Sequence, residues 1–133
     1  LRLLGIAPKQ KELLAVIVEL GLEEGPDTLA SFSEGTARYL NYSGKILVWE
    51  NADEKSRAIT DKLFVASEKI VQQIGPWTNP RRPFPSKGNL RLSFLVSDGL
   101  YFGEGPIKTL FSDPMAGPIL NAMQELLQYI TNT

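Results

Sequence analysis

Residues 28–50 read TLASFSEGTARYLNYSGKILVWE, and this stretch decides the fold class. It divides into three short runs of strand-forming residues, at 29–32, 36–42 and 46–49, which are separated by two glycine-containing turns. Glycine accepts the positive φ angles that tight hairpin turns require. The stretch therefore predicts a three-stranded antiparallel meander.

An amphipathic helix is predicted directly after the meander, over residues 52–74. Asn51 is its expected N-cap, and Asp53 and Glu54 lie where acidic side chains interact favourably with the helix dipole. Its apolar positions recur at alternating spacings of four and three, as on one face of a helix. These positions are Ile59, Leu63, Ala66, Ile70 and Ile74.

The same plan of strands and then a helix is used a second time. Residues 89–96 alternate between apolar and other side chains, which is typical of a strand with one buried face. The turn Ser97-Asp98-Gly99 leads to a return strand over residues 100–103, and a short turn is expected at Asp113. The last helix is predicted to begin at Pro118, because proline favours the first helical position.

Residues 8–20 allow two interpretations. Leu13, Leu14, Ile17 and Leu20 recur at helical spacing, so we expect a helix. The alternative is a strand over residues 15–18, because this run contains three β-branched residues.

The predicted fold class is α+β, in a single domain over residues 1–133. We expect a five-stranded antiparallel sheet, made of the meander and the later hairpin, with about three helices in the order α-βββ-α-ββ-α. Because each predicted helix has one apolar stripe, the helices are expected to cover one face of the sheet.

The composition narrows the possible chemistry. The 133 residues include no cysteine and no histidine, which excludes disulfides, thiol nucleophiles and imidazole catalysis. The net charge of −1 argues against a broad basic surface for nucleic acid. The longest apolar run, residues 13–18, is too short to span a membrane. We expect no cofactor, no metal and no membrane partner, and a cytoplasmic location.

No motif assembles a catalytic site, so an enzymatic function is uncertain and we lean against it. Ser43-Gly44-Lys45 resembles the end of a phosphate-binding loop, but it lacks the earlier glycine and the following helix. Asp61 and Glu68 lie on one face of the predicted helix, about 10 Å apart along its axis. We interpret them as solvated residues.

Two resemblances bear on function. Residues 35–39 (GTARY), 43–45 (SGK) and 48–50 (VWE) resemble small bacterial proteins that carry no assigned function. The overall plan is similar to the roadblock/longin-type, profilin-like α/β domains, whose five-stranded sheets serve as dimerising platforms. Those domains place two strands before the central helix and three after it, whereas this sequence predicts three and two. This second resemblance implies dimerisation as a mode of action.

If the helices cover one face of the sheet, leucine and aromatic side chains of the strands remain on the other. An exposed apolar face of this kind usually marks an interface. A proline-rich segment, residues 77–91, adds aromatic and basic side chains. The interaction surface predicted from both features consists of Arg38, Leu40, Tyr42, Trp49, Trp77, Arg81, Arg82 and Phe84.

The first functional hypothesis is therefore a non-enzymatic protein–protein interaction or dimerisation domain, with a second copy or another protein as its partner. The alternative is a small-ligand-binding protein or enzyme, with a pocket between sheet and helices in which Tyr39 and Lys45 contact the ligand. Nucleic acid binding through Arg81, Arg82 and Lys87 is the least favoured hypothesis.

Overall fold

The computed structural model describes residues 12–23, 25–50, 52–74 and 85–132. In these ranges it has six strands and three helices. The strands are β1 (Leu13–Gly21), β2 (Pro26–Phe32), β3 (Ala37–Leu40), β4 (Ile46–Trp49), β5 (Asn89–Val96) and β6 (Gly99–Pro106). The helices are α1 (Glu54–Val71), α2 (Ile107–Ser112) and α3 (Ala116–Thr131).

All six strands form one antiparallel sheet in the order β4-β3-β2-β1-β5-β6. The predicted α+β class with an antiparallel sheet and three helices is confirmed. The predictions of five strands and of the order α-βββ-α-ββ-α are wrong, because the chain begins the sheet with a strand where we expected a helix.

That strand, β1, lies at the centre of the sheet between β2 and β5. Val16 pairs with Phe94 and Val18 with Leu92 on one face, whereas Ile17 pairs with Ser93 on the other. Residues of β1 are buried on both faces, as Ala15 and Val16 show at 0% exposure, and such a central strand carries a nearly continuous apolar run that hides its period of two. The β-branched side chains favour this extended conformation.

The predicted strands agree with the structure to different extents. The bounds of β4 and β5 match the predictions, while β2 begins earlier, at Pro26, and β3 is shorter than residues 36–42. The turn Ser43-Gly44-Lys45 joins β3 to β4, which confirms its interpretation as a hairpin turn. The side-chain oxygen of Asn41 accepts hydrogen bonds from the backbone N–H groups of Ser43 and Lys45.

The helix α1 begins with a capping box in which Asp53 is the N-cap. The Asp53 Oδ1 atom accepts a hydrogen bond from the Ser56 backbone N–H at 2.8 Å, and Ser56 Oγ accepts one from the Asp53 N–H at 2.9 Å. Tyr129 donates its hydroxyl to Asp53 Oδ2 at 2.6 Å, which joins α1 to the last turns of α3. The hydrogen bonds from Tyr129 and Ser56 lower the pKa of Asp53. The expected cap, Asn51, lies outside the described residues.

The C-terminal part contains two helices. The six-residue α2 follows β6 directly, was not predicted, and has no buried residue. The helix α3 begins at Ala116, two residues before the predicted start, and the side chain of Asp113 accepts hydrogen bonds from the backbone N–H groups of Met115 and Ala116.

The hydrophobic core lies between the helices and one face of the sheet. Leu63 of α1 and Ile119 and Leu126 of α3 are buried against strand residues such as Leu92 and Phe94. This face is called the covered face below, and its reverse is called the opposite face. Among the described residues, no helix is long and apolar enough to cross a membrane.

Candidate functional site

An apolar patch lies on the opposite face of the sheet, at its β3–β4 end. Leu40 pairs with Ile46, and Arg38 pairs with Val48 in the same ladder. Directly paired residues of antiparallel strands place their side chains on the same face. Leu40, Ile46 and Val48 are 43, 67 and 49% exposed, and these three residues are called the β4 patch.

The strand β4, which carries Ile46 and Val48 of this patch, is an end strand of the sheet. Within the described residues β4 pairs with β3 alone, and its sequence, Ile46–Trp49, contains no proline, glycine or charged residue. At the other end of the sheet, β6 carries Glu104 between two glycines and ends at Pro106. Charges, glycine and proline protect edge strands from pairing with other chains. The protecting residues are thus present within β6 and absent from β4.

The β1–β5–β6 side of the opposite face is charged instead. The Arg91 Nε atom lies 3.0 Å from Glu104 Oε1, and one of its terminal nitrogens lies 3.6 Å from Glu19 Oε1. The Arg91 guanidinium also lies over the ring of Phe102, 5.5 Å from its centroid. Glu19 and Arg91 are each only 4% exposed. On this side Leu95 of β5 is the one large hydrophobic side chain among the described residues that is more than 40% exposed, whereas β3 and β4 carry three of them next to each other.

The predicted interaction residues separate in the structure. Arg38 and Leu40 lie on the opposite face, whereas Trp49 lies on the covered face, where its ring makes an edge contact with Tyr129 at a centroid distance of 5.9 Å. Tyr42 is in the β3–β4 turn and 52% exposed. The remaining predicted residues, Trp77, Arg81, Arg82 and Phe84, lie outside the described residues, and so does most of the proline-rich segment.

A cavity of about 290 Å³ lies between the covered face of the sheet and the helices α2 and α3. Its lining is apolar except at one end, where Asp27 of β2 and Tyr39 of β3 meet, and at Gln124 of α3. The apolar lining residues that the structure describes are Val18, Leu20, Leu29, Leu90, Ile107, Phe111, Leu120, Met123 and Leu127.

Asp27 and Tyr39 form the polar end of this cavity. The Tyr39 hydroxyl donates a hydrogen bond to Asp27 Oδ2 at 2.7 Å, and the backbone N–H of Tyr42 donates one to Oδ1 at 2.9 Å. Burial, and secondarily the hydrogen bond and negative charge of Asp27, raise the pKa of Tyr39 to about 12. The phenol therefore remains a neutral donor at physiological pH.

Of the two predicted ligand-contacting residues, only Tyr39 lines the cavity. Lys45 is exposed in the β3–β4 turn. Asp61, which was interpreted above as a solvated residue, is exposed on α1. Asp27, which the sequence analysis missed, is the residue that joins Tyr39. Its position after Gly25 and Pro26 indicated a turn, and only the pairing of β2 with β3 brings it to Tyr39.

In the described part of the chain, no three acidic side chains come together in a group that could hold a metal ion. No protein-family model and no curated protein matches this sequence. The two resemblances given above therefore remain predictions.

Proposed function

We propose that this chain is a non-enzymatic interaction domain that forms a homodimer through the β4 patch and the edge of β4 that pairs with no other described strand. The observation that supports this proposal most strongly is the exposure of Ile46 on the end strand β4. Its side chain is 67% exposed and lies between two other exposed aliphatic side chains, Leu40 of β3 and Val48 of β4. Exposed apolar surface of this kind is costly in water and marks association sites.

The sequence of β4 suits pairing with a second copy of itself. A two-fold axis normal to the sheet makes the two β4 strands antiparallel. It places the covered faces of both copies on the same side of the combined sheet. If Leu47 lies opposite Leu47 of the second copy, Ile46 lies opposite Val48 of the second copy. Two apolar cross-strand pairs then form on the opposite face, and such pairs stabilise sheets. We propose this register because a shift of two residues in one direction places Ile46 opposite Glu50, and a shift in the other places Val48 opposite Gly44. Each shifted register keeps only one apolar pair on the opposite face.

The expected dimer is weak. The three side chains of the β4 patch together expose the equivalent of about one and a half aliphatic side chains per copy. Pairing through β4 brings Ile46 and Val48 against the second copy but leaves Leu40 one strand away, so only part of this surface is buried. Association costs about 4–15 kcal/mol in lost freedom of motion. Backbone hydrogen bonds along the paired edges add to this small gain, and we expect a dissociation constant between micromolar and millimolar.

The test compares two valines of similar exposure. Val48, in the β4 patch, is 49% exposed, and Val65, on the surface of α1, is 57% exposed. In sedimentation equilibrium over roughly 0.01–1 mM protein, the wild type and Val65→Glu should show a rising average mass, and Val48→Glu should stay at the monomer mass. Unchanged circular dichroism of Val48→Glu would show that the variant is folded.

Two outcomes would contradict the proposal. A wild type that remains monomeric over this range does not self-associate, and equal dimerisation of Val48→Glu and wild type would place the interface elsewhere.

We further propose a cytoplasmic location, because a cysteine-free chain needs no oxidising compartment to fold.

A further inference from the structure

The cavity between the sheet and α2 and α3 is large for a domain of this size. Protein interiors are close-packed and contain few voids larger than a water molecule. At about 290 Å³, this cavity has nearly twice the volume of an engineered apolar cavity of about 150 Å³ that binds benzene. The lining side chains lose van der Waals contacts as long as the space is unfilled. An occupant of about ten to twelve non-hydrogen atoms would restore these contacts.

The walls of the cavity define the body of its occupant. The floor is formed by aliphatic side chains of β1, β2 and β5, and Leu120, Met123 and Leu127 of α3 form the roof. Ile107 and Phe111 of α2 close one side. Since α2 has no buried residue and Phe111 is 37% exposed, this side of the cavity lies at the surface of the domain. The occupant must therefore be mainly apolar.

The polar end of the cavity defines the head group of the occupant. Of the described residues that line the cavity, Asp27 alone is charged. Its two carboxylate oxygens accept one hydrogen bond each, from Tyr39 and from the Tyr42 backbone. An ionised carboxylate can accept about four hydrogen bonds, so Asp27 has acceptor capacity left for a ligand. A carboxylate ligand would be repelled, and an ammonium group would be attracted.

We propose that this cavity is a binding site for a small organic amine, with the ammonium group hydrogen-bonded to Asp27 and an apolar body between the sheet and α3. Tyr39 positions Asp27 by holding one of its oxygens. Gln124 supplies a neutral polar group on the α3 side. This site lies on the covered face, whereas the β4 patch lies on the opposite face, so the two proposals are tested separately.

The probes are 4-phenylbutylamine and 4-phenylbutanoate, which have the same apolar body and opposite charge at neutral pH. Isothermal titration calorimetry of the wild type should give at least tenfold tighter binding of the amine, which corresponds to about 1.4 kcal/mol. Asp27→Asn keeps the shape and removes the charge, and it should reduce this preference to below about threefold. The Asp27→Asn melting temperature is measured alongside as a check on folding.

A second readout needs no substitution. The sequence contains two methionines, of which Met123 lines the cavity and Met115 does not. With carbon-13 in the methionine methyl groups, the amine should shift the Met123 resonance and leave Met115 unchanged. Three results would overturn the proposal: no shift at Met123, equal affinity for the two probes in the wild type, or an unchanged preference in Asp27→Asn.

Discussion

Alanine substitution of two leucines in β5 should show which face of the sheet is buried under the helices. Leu92 and Leu95 both belong to β5, but Leu92 is 3% exposed on the covered face and Leu95 is 41% exposed on the opposite face. Replacing a buried leucine by alanine costs about 2–5 kcal/mol, because transfer free energy is lost and a cavity remains. Leu95→Ala should cost about 1 kcal/mol or less, since its side chain is already partly in water.

Thermal unfolding and urea unfolding, both followed by circular dichroism, measure the two changes. With about 2.1 cal/mol/K of unfolding entropy per residue, a loss of 3 kcal/mol in Leu92→Ala corresponds to a melting temperature lower by roughly 10 °C. Leu95→Ala should lower it by about 4 °C or less. The slope against denaturant should stay constant, so that the midpoints report stability. Equal losses in the two variants, or a larger loss for Leu95→Ala, would refute the assignment of the faces.

Two further predictions concern the ionisation of Tyr39 on the covered face and the close packing of Gly21 against the backbone of Pro85 and Ser86. Tyr39 has a pKa of about 12 when folded and about 10 when unfolded, so its contribution to stability is complete below pH 10 and is lost as the pH rises to 12. The free energy of unfolding of Tyr39→Phe should therefore fall less between pH 10 and 12 than that of the wild type. Urea titrations at several pH values measure this, and equal declines in the two proteins would contradict the prediction. In Gly21→Ala, the new Cβ would overlap the backbone carbonyl oxygens of Pro85 and Ser86, which should cost about 1–3 kcal/mol. Gly103→Ala is the control, because a Cβ there meets no atom within 4 Å and should change stability by less than about 0.5 kcal/mol; similar melting points of the two variants would argue against the close approach.

Local signals predicted the parts of the fold whose periods are visible. The glycine turns fixed the β3–β4 hairpin, and the 3.6-residue period of Ile59 and Leu63 fixed α1. The error in β1 arose because Leu13, Ile17 and Leu20 satisfy helical spacing by chance in a strand that is buried on both faces. Nothing in a single sequence shows that a run will become a central strand, because its neighbours are supplied by long-range pairing.

The candidate sites were only partly predictable for the same reason. Alternation in residues 46–49 separates Ile46 and Val48 from Leu47 and Trp49, but it does not say which pair the helices cover. The packing of α3 decides this, by placing Tyr129 against Trp49. Asp27 and Tyr39 are twelve residues apart in sequence and meet through the pairing of β2 with β3. The sequence predicts Tyr39 as a ligand contact, but it does not single out Asp27, which becomes the partner of Tyr39 only in the folded sheet.

Cysteine cross-linking of β4 tests self-association through this strand most directly, because these 133 residues contain no cysteine. A disulfide needs a Cα–Cα distance of about 4.4–6.8 Å, which directly opposed residues of antiparallel strands satisfy. The proposed register predicts that an oxidised mixture of Ile46→Cys and Val48→Cys proteins yields mainly mixed dimers, while Val65→Cys cross-links only slowly. Equal yields from all pairings, or no excess over Val65→Cys, would contradict dimerisation through β4.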